Sequence, residues 1–405
     1  MAQSLNRRKF LQTGACAGAL GFLAPSLQAQ HTDIASSDIG KSKWELDTPA
    51  LCVDLDKMER NLRTVHTALR GTRVGVRPHI KTHKCPALAK MQMEAGAVGV
   101  CAAKISESEI MLENGISDVL MTGVNVTVPK IRKAMALRKK YRGFIQAIDN
   151  PQNAQDLQDA AKEAGTVADV VVDIDVIKRS GVLPNAPALS LAKMVDRMPN
   201  LNFRGILAYD GGAQHVTGFA KRKERTLKYF EPVVETYVMM KASGLNMEIF
   251  SGGGTGTYNM MGEFPGFTDV QVGSYLFMDR QYMVIGGEKN ETEFDDFAPS
   301  LTVMTTVINT NHPGRLTTDS GAKALTINQP KALVIGEPDF QYSAGSDEYG
   351  SITFQESSRT YKVGDMLEVI VPHCDPVVNL YDVMYGIRKG KVESIIPILA
   401  RGKSA

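Results

Sequence analysis

The feature that most constrains the fold of this chain is a strand-then-helix pattern that repeats between about residues 73 and 274. Apolar runs alternate with stretches of helical periodicity such as Val128–Tyr141 and Asn153–Ala164. Strands that alternate with helices pair in parallel through right-handed crossovers. Eight runs fit the strand pattern: Arg73–Ile80, Ala97–Cys101, Asp118–Met121, Gly143–Ile148, Val167–Ile174, Leu201–Tyr209, Met247–Ser251 and Thr268–Ser274. This number predicts an α/β fold, a closed (β/α)8 TIM-type barrel, rather than an open doubly wound sheet.

The remainder of the chain predicts a second domain of a different kind. Towards the C-terminus, Thr, Val and Ile runs alternate with Gly, Pro and Asp, which is typical of β structure. We therefore predict a barrel over residues 56–285 and a mostly β domain over residues 286–405. An early strand within residues 45–55 is one too many for the barrel, and we expect it to pair with the second domain. The length of 405 residues suits one large and one smaller domain.

The first 30 residues resemble a twin-arginine export signal. Arg7 and Arg8 precede a weakly apolar stretch from Leu11 to Leu27, and Leu27-Gln28-Ala29 resembles a cleavage site. The alternative is a tail with a chance pair of arginines. The apolar stretch is too short and too rich in glycine to span a bilayer stably. We therefore expect a periplasmic protein that has no membrane contact after removal of residues 1–30.

Charge and cysteine usage exclude several classes of protein. The formal net charge is +2, and no block of Lys and Arg occurs beyond the N-terminus, so nucleic acid is not an expected partner. The five cysteines include no closely spaced pair of the kind found in zinc knuckles or redox motifs. Function therefore has to be inferred from local sites.

Two strand ends carry residues that suit a phosphorylated aldehyde cofactor. Reactive residues of such barrels lie at the C-terminal ends of strands. The first strand ends near Lys81, which can form a Schiff base if neighbouring cations or desolvation lower its pKa. The seventh strand ends in Ser251-Gly252-Gly253-Gly254-Thr255-Gly256-Thr257, whose N–H groups and hydroxyls suit a phosphate. The alternative for Lys81 is a solvated basic strand end, and the alternative for the glycine-rich segment is a flexible loop.

Other predicted strand ends offer three further candidates. Arg179 follows the fifth strand and could hydrogen-bond a cofactor ring, or it could lie in a surface turn. Tyr209 ends the sixth strand and could pack near the ring. His215 follows shortly afterwards and could act as a general base, although an isolated histidine is more often structural.

A short segment of the second domain predicts a metal site. His373 and Asp375 alternate around Cys374, so in an extended chain their side chains point the same way. Imidazole and carboxylate together suit a divalent ion such as Mn or Zn. Cys374 would then point to the other face. The alternative is a solvated turn before Pro376.

These segments together resemble the D-threonine aldolase and D-serine dehydratase-like family of enzymes dependent on pyridoxal 5'-phosphate (PLP), which have an alanine racemase-type barrel of fold type III. The resemblance also includes Thr48-Pro49-Ala50, Pro78-His79-Ile80-Lys81, Gly273-Ser274-Tyr275 with Asp279, and Asn379-Leu380-Tyr381-Asp382. One departure is Asp347-Glu348-Tyr349-Gly350, where the family pattern has His in place of Tyr349. Any substrate contact at that position is therefore in doubt.

The resemblance implies a role for each candidate residue. Lys81 would carry PLP, and the Ser251–Thr257 loop would hold its phosphate. Arg179 and Tyr209 would flank the ring, with Tyr275 also in the cofactor site. His373 and Asp375 would bind a divalent metal, and His215 is the candidate base. The resemblance further implies a homodimer and a D-amino acid substrate.

Two lyase reactions fit this family. An aldolase breaks the Cα–Cβ bond of a D-3-hydroxy amino acid and yields glycine and an aldehyde, whereas a dehydratase yields a 2-oxo acid and ammonia. The His373-x-Asp375 pair resembles the aldolase side and favours Mn, with Zn or Mg as alternatives, while a His-x-Cys pair resembles the dehydratase side. We therefore expect a D-threonine aldolase-like lyase. The alternatives are a D-serine or 3-hydroxy-D-aspartate dehydratase, an amino-acid racemase and a non-catalytic PLP-binding protein.

Overall fold

The computed structural model of the protein describes residues 37–405. The export signal predicted at residues 1–30 lies outside the described residues. Among the residues from 37 onward, no helix has both the length and the apolarity that crossing a membrane requires. The first strand is β1 (Ala50–Asp54), and helix α1 (Leu55–Ala68) follows it directly because the Asp54 carboxylate caps the helix by accepting the N–H of Lys57.

Eight parallel strands within the described part of the chain form the predicted barrel. They are β2 (Gly75–Val76), β3 (Val100–Ala102), β4 (Val119–Val124), β5 (Phe144–Ile148), β6 (Ala168–Ile174), β7 (Leu201–Ala208), β8 (Ile249–Gly252) and β9 (Asp269–Val270). Strands from β3 to β9 pair in sequence order, and β9 also pairs with β2. A parallel bridge between His79 and Cys101 joins the first strand to the second. The TIM-type barrel is therefore confirmed.

Helices follow the barrel strands from β2 to β7. They are α2 (Pro86–Glu94), α3 (Ile105–Glu113), α4 (Val128–Lys140), α5 (Pro151–Ala164), α6 (Ala186–Asp196) and α7 (Phe219–Ala242). In α5 the Asn150 side chain accepts the N–H of Asn153, and Gly165 ends the helix in the left-handed conformation. Leu157 and Ala161, one turn apart, are buried on the face of α5 that packs into the core.

The first and the last barrel strands, β2 and β9, are shorter than the sequence pattern predicts. The run Arg73–Ile80 contributes only β2, and the run Thr268–Ser274 contributes only β9. Past β2 the backbone still bonds to the neighbouring strands as far as Ile80, whose N–H donates to the carbonyl of Cys101. A turn then forms in which the N–H of Lys84 donates to the carbonyl of Ile80. Lys81 and Thr82 thereby leave the sheet and reach the mouth of the barrel.

The second domain is mostly β, as the sequence predicted. Its strands are β10 (Leu301–His312), β11 (Arg315–Thr318), β12 (Leu333–Val334), β13 (Gln341–Ser343), β14 (Gly350–Thr353), β15 (Met366–Ile370), β16 (Val383–Arg388) and β17 (Lys391–Pro397). Strand β1 lies between β10 and β16, antiparallel to the first and parallel to the second. Short helices α8 (Arg280–Met283), α9 (Ala322–Leu325) and α10 (Cys374–Val378) occur around and within this domain. One continuous apolar core runs from the barrel into it.

Candidate active site

A cavity of about 400 Å³ lies at the C-terminal mouth of the barrel. Its walls come from the ends of most barrel strands and from the start of α10 in the second domain. Its volume lies in the range of small-molecule sites. Eight of the residues predicted from the sequence line it: Lys81, Arg179, Tyr209, His215, Gly254, Thr255, His373 and Asp375.

Lys81 lies in the cavity wall opposite a carboxylate from the second domain. Its Nζ is 3.2 Å from Oδ2 of Asp375, and 42 % of its side-chain surface is exposed. The negative charge of Asp375 raises the pKa of Lys81, and burial opposes this rise less strongly. The expectation that neighbouring cations or desolvation lower this pKa overall is therefore wrong, because the sequence does not show that Asp375 lies beside the amine.

Asp375 is ionised in this pair. Burial alone would raise the pKa of Asp375, but the positive charges of Lys81 and His373 outweigh burial and hold that pKa below its ordinary value. The carboxylate and the amine therefore form an ion pair in the cavity wall. This arrangement orients both side chains towards the space where a ligand would lie.

His79 supports the turn that carries Lys81. The N–H of Lys81 faces Nδ1 of His79 at 3.4 Å, and Nε2 of His79 lies 3.3 Å from the hydroxyl of Thr122 on β4. Burial lowers the pKa of His79 well below its ordinary value, and the charge of Lys81 lowers it further, so the ring is neutral. The sequence analysis named His79 only as part of the family pattern and assigned it no role.

The glycine-rich loop after β8 has the properties of an anion site. Gly253 has a φ of 60°, which favours glycine, and a Cβ on Gly254 would come within 2.6 Å of Oε1 of Gln214. The N–H groups of Thr255 and Ser274 have no protein acceptor among residues 37–405. Both residues line the cavity. These two donors and the adjacent hydroxyls fit the oxygen atoms of a phosphate.

Four of the predicted cofactor residues lie outside the cavity wall: Ser251, Gly252, Gly253 and Tyr275. The Ser251 hydroxyl donates to Asp269 and accepts a hydrogen bond from Gln271 at 2.9 Å. The Tyr275 ring is fully buried, and its hydroxyl accepts a hydrogen bond from Gln92 at 3.0 Å. Its N–H donates to the Thr255 hydroxyl at 3.0 Å, so Tyr275 supports the loop from behind.

Arg179 and Tyr209 contact one another on one side of the cavity. The Arg179 guanidinium lies 5.2 Å from the centre of the Tyr209 ring, which is a cation–π distance. Arg179 is exposed and follows β6, where Ser180 donates to the carboxyl group of Asp173 at 3.0 Å. The two predicted ring neighbours therefore form one wall of the cavity.

His215 lies where a proton acceptor can reach a bound molecule. Its ring lines the cavity and packs 5.0 Å from the ring of Tyr282. Burial lowers the pKa of His215, and the charge of His373 lowers it further. The imidazole is therefore neutral at neutral pH and able to accept a proton.

The geometry expected for His373 and Asp375 is wrong, although both side chains line the cavity. The backbone is extended at His373, with φ −147° and ψ 129°, but helix α10 begins at the next residue. The two side chains therefore do not alternate along a strand. Helix formation is favoured here because the Asp279 carboxylate accepts the N–H of Cys374 at 2.9 Å.

Asp279 is a residue to which the sequence analysis gave no function. Its Oδ2 is 2.8 Å from Nδ1 of His373. Burial lowers the pKa of His373, but this bond and the negative charges of Asp279 and Asp375 together outweigh burial and raise that pKa. A carboxylate bound to one ring nitrogen orients the other towards a metal. Among the described residues, ligand atoms of Asp279, His373 and Cys374 lie within 4.8 Å of one another. The only signal for Asp279 in the sequence is its place in the family pattern.

Comparison with known proteins defines the class to which this fold and site belong. Residues 53–281 match the family model "Alanine racemase, N-terminal domain", and residues 300–387 match "Putative serine dehydratase domain". The first match covers more than half of the chain. The chain therefore belongs to the alanine racemase N-terminal domain family, and a match to the putative serine dehydratase domain follows this region.

Several relatives that cover most of this chain are aldolases. The chain is 35 % identical to 3-hydroxy-D-aspartate aldolase of Paracoccus denitrificans (strain Pd 1222) over 90 % of this chain and 94 % of that protein. It is 33 % identical to D-threonine aldolase of Arthrobacter sp over 89 % and 94 %. The structure of D-threonine aldolase from Filomicrobium marinum is 34 % identical, with a TM-score of 0.85 over 91 % and 99 %. D-threo-3-hydroxyaspartate dehydratase of Delftia sp. (strain HT23) is more distant, 27 % identical over 76 % of this chain and 79 % of that protein.

Proposed function

We propose that the protein is an aldolase that uses PLP and a divalent metal to cleave D-3-hydroxy amino acids into glycine and an aldehyde. One observation carries the proposal: the amine of Lys81 and the donors of the glycine loop line the same cavity. An amine and an anion site in one cavity suit a phosphorylated aldehyde. The similarity to aldolases over most of the chain supports the reaction class.

The chain supplies the groups that this reaction needs. PLP, when bound, supplies the electron sink for bond cleavage at the substrate Cα. His215 is the candidate to accept the proton of the substrate β-hydroxyl, because its imidazole is neutral and faces the cavity. The Arg179–Tyr209 pair closes one side of the cavity and limits how a planar ring can lie there.

The metal would be held by the segment at the start of α10. His373 and Asp375 would hold a divalent ion, which would supply a Lewis acid for the β-hydroxyl. The competing set is Asp279, His373 and Cys374. The Cys374 thiol is fully buried and lies 3.4 Å from the Ser274 hydroxyl, and burial raises its pKa, which disfavours a thiolate ligand. We therefore favour Mn at the harder pair, with Zn or Mg as alternatives.

Analysis of the products tests the reaction. The purified protein is incubated with PLP, Mn and either D-threonine or 3-hydroxy-D-aspartate, with the L-enantiomers as controls. Glycine together with an aldehyde supports the aldolase. A 2-oxo acid with ammonia would instead assign the protein to the dehydratase branch, and the Cys374→Ala variant would then show whether a sulfur ligand is used.

We also propose export and dimerisation, which rest on the signal-like N-terminus and on the family resemblance. A fusion of residues 1–30 to a reporter that is active only after export tests the first. Export that persists when Arg7 and Arg8 are both replaced by Lys would contradict a twin-arginine route. Light scattering after size exclusion tests the homodimer, and a monomer mass at working concentration would contradict it.

A further inference from the structure

Arg222, in the first turn of α7, is completely buried behind the glycine loop. Within residues 37–405 no carboxylate forms an ion pair with it, and the acidic groups that act on it, Asp296 and Glu291, do so at longer range. Burial of an unpaired guanidinium is costly unless its donors are satisfied by hydrogen bonds. A buried cation of this kind therefore needs a specific arrangement of acceptors.

Backbone carbonyls supply all of these acceptors. The Arg222 Nε donates to the carbonyl of Gly256 at 2.6 Å. Its Nη1 donates to Val216 at 2.9 Å and to Ile285 at 3.0 Å, and its Nη2 donates to Gly286 at 2.7 Å. The planar fork of arginine can satisfy acceptors in several directions at once, which a lysine cannot do.

The carbonyls belong to three segments that surround the cavity. Gly256 is part of the glycine loop, and Val216 directly follows the candidate base His215. Ile285 and Gly286 follow α8, which carries Tyr282 against the ring of His215. One side chain therefore joins the proposed phosphate site to both segments that hold His215.

Gln214 braces the same loop from the other direction. Its Oε1 accepts the N–H of Gly256 at 2.9 Å, while Nε2 donates to the Thr257 hydroxyl at 3.1 Å. The Gly256 residue is thus held at its N–H by Gln214 and at its carbonyl by Arg222. The N–H and the carbonyl of Gly256 belong to successive peptide units, and each unit is planar, so each of the two bonds fixes the orientation of one unit. Together they hold the turn in which Gly254 and Thr255 line the cavity.

We propose that Arg222 is a positioning residue that holds the glycine loop in the conformation that binds the phosphate of PLP. The proposal rests on the function proposed above for this loop. Arg222 does not line the cavity, so it acts through the loop and through its positive charge behind it. Its loss would release the loop, and ordering the loop would then oppose phosphate binding.

The test compares PLP with pyridoxal, which has the same aldehyde ring but no phosphate. The ratio of the Kd for pyridoxal to the Kd for PLP measures the phosphate contribution, read from the visible absorbance of each ligand bound to cofactor-free protein. We expect this ratio to fall about tenfold in Arg222→Met and about threefold in Arg222→Lys, because a loop that is no longer preorganised must be ordered on binding. The Kd for pyridoxal itself should change little.

Arg138→Met is the matched control. Arg138 also donates to backbone carbonyls, including that of Val167 at 2.8 Å, but it does not line the cavity and contacts the opposite ends of the strands. Its loss should leave the ratio unchanged, even if it lowers the melting temperature. A general loss of stability would weaken both ligands alike.

The outcomes separate the two proposals. Wild-type protein that binds PLP no more tightly than pyridoxal would contradict the phosphate site itself. If the ratio of the Kd for pyridoxal to the Kd for PLP is large in the wild type and equally large in Arg222→Lys, the role of Arg222 is overturned and the phosphate site stands. The lysine variant keeps the charge, so it decides the matter if Arg222→Met does not fold.

Discussion

Asp173, at the C-terminal end of β6, allows a quantitative prediction about stability. Its carboxyl group is buried, with 3 % of the residue exposed. Burial raises its pKa from 3.8 to about 7, although the bond from Ser180 and the charge of Arg179 oppose this rise. Asp173→Asn keeps the size of the side chain and an oxygen that can accept from Ser180, but it removes the charge.

The direction in which the free energy of unfolding changes with pH follows from the raised pKa of Asp173. Below about pH 4 the carboxyl group is protonated in both the folded and the unfolded chain, so burial of a charge costs nothing. Between about pH 4 and pH 7 the unfolded chain releases the proton while the folded chain retains it, and the free energy of unfolding falls. A rise in pKa from 3.8 to about 7 corresponds to roughly 4 kcal/mol, all of it lost by about pH 8. This is a large part of the total stability of a domain.

Urea unfolding of the cofactor-free protein, followed by circular dichroism at a series of pH values, measures the effect. The difference in unfolding free energy between Asp173→Asn and the wild type should grow by up to roughly 4 kcal/mol between pH 4 and pH 8. Asp159→Asn, which removes an exposed carboxylate from α5, is the control and should run parallel to the wild type. Parallel profiles for Asp173→Asn and wild type would refute the assigned pKa.

Three further changes test the proposed active site. Lys81→Ala should abolish the visible absorbance of bound PLP while the fold survives. The control Lys104→Ala, at an exposed lysine in the same cavity wall, should keep this absorbance. Absorbance retained in Lys81→Ala would mean that another lysine carries the cofactor. Asp375→Ala should lose metal-dependent activity, as followed by titration of Mn after chelation, and should keep PLP; full activity without metal would contradict the ligand assignment. His215→Gln should lower kcat by about 10²- to 10⁴-fold without changing PLP absorbance, and an unchanged kcat would leave His215 as a structural residue.

The sequence alone determined the architecture and the location of the site. Eight apolar runs separated by helical stretches predicted a parallel barrel, because burial periodicity is a local property of each segment. In such a barrel all strand ends of one polarity meet at one mouth. Lys81 and the glycine loop, which are far apart in the sequence, are therefore expected in one cavity, and both line it.

Only the tertiary structure decided which side chains face that cavity. The charge of Asp375 raises the pKa of Lys81, whereas the sequence predicted that neighbouring cations lower it. Tyr275 supports the glycine loop from behind. His373 is oriented by Asp279, and α10 replaces the predicted extended segment. Arg222 braces the loop through carbonyls that no motif shows. These relations depend on contacts between residues far apart in the chain. A local sequence pattern does not show how deeply a group will be buried or which charged group will lie beside it.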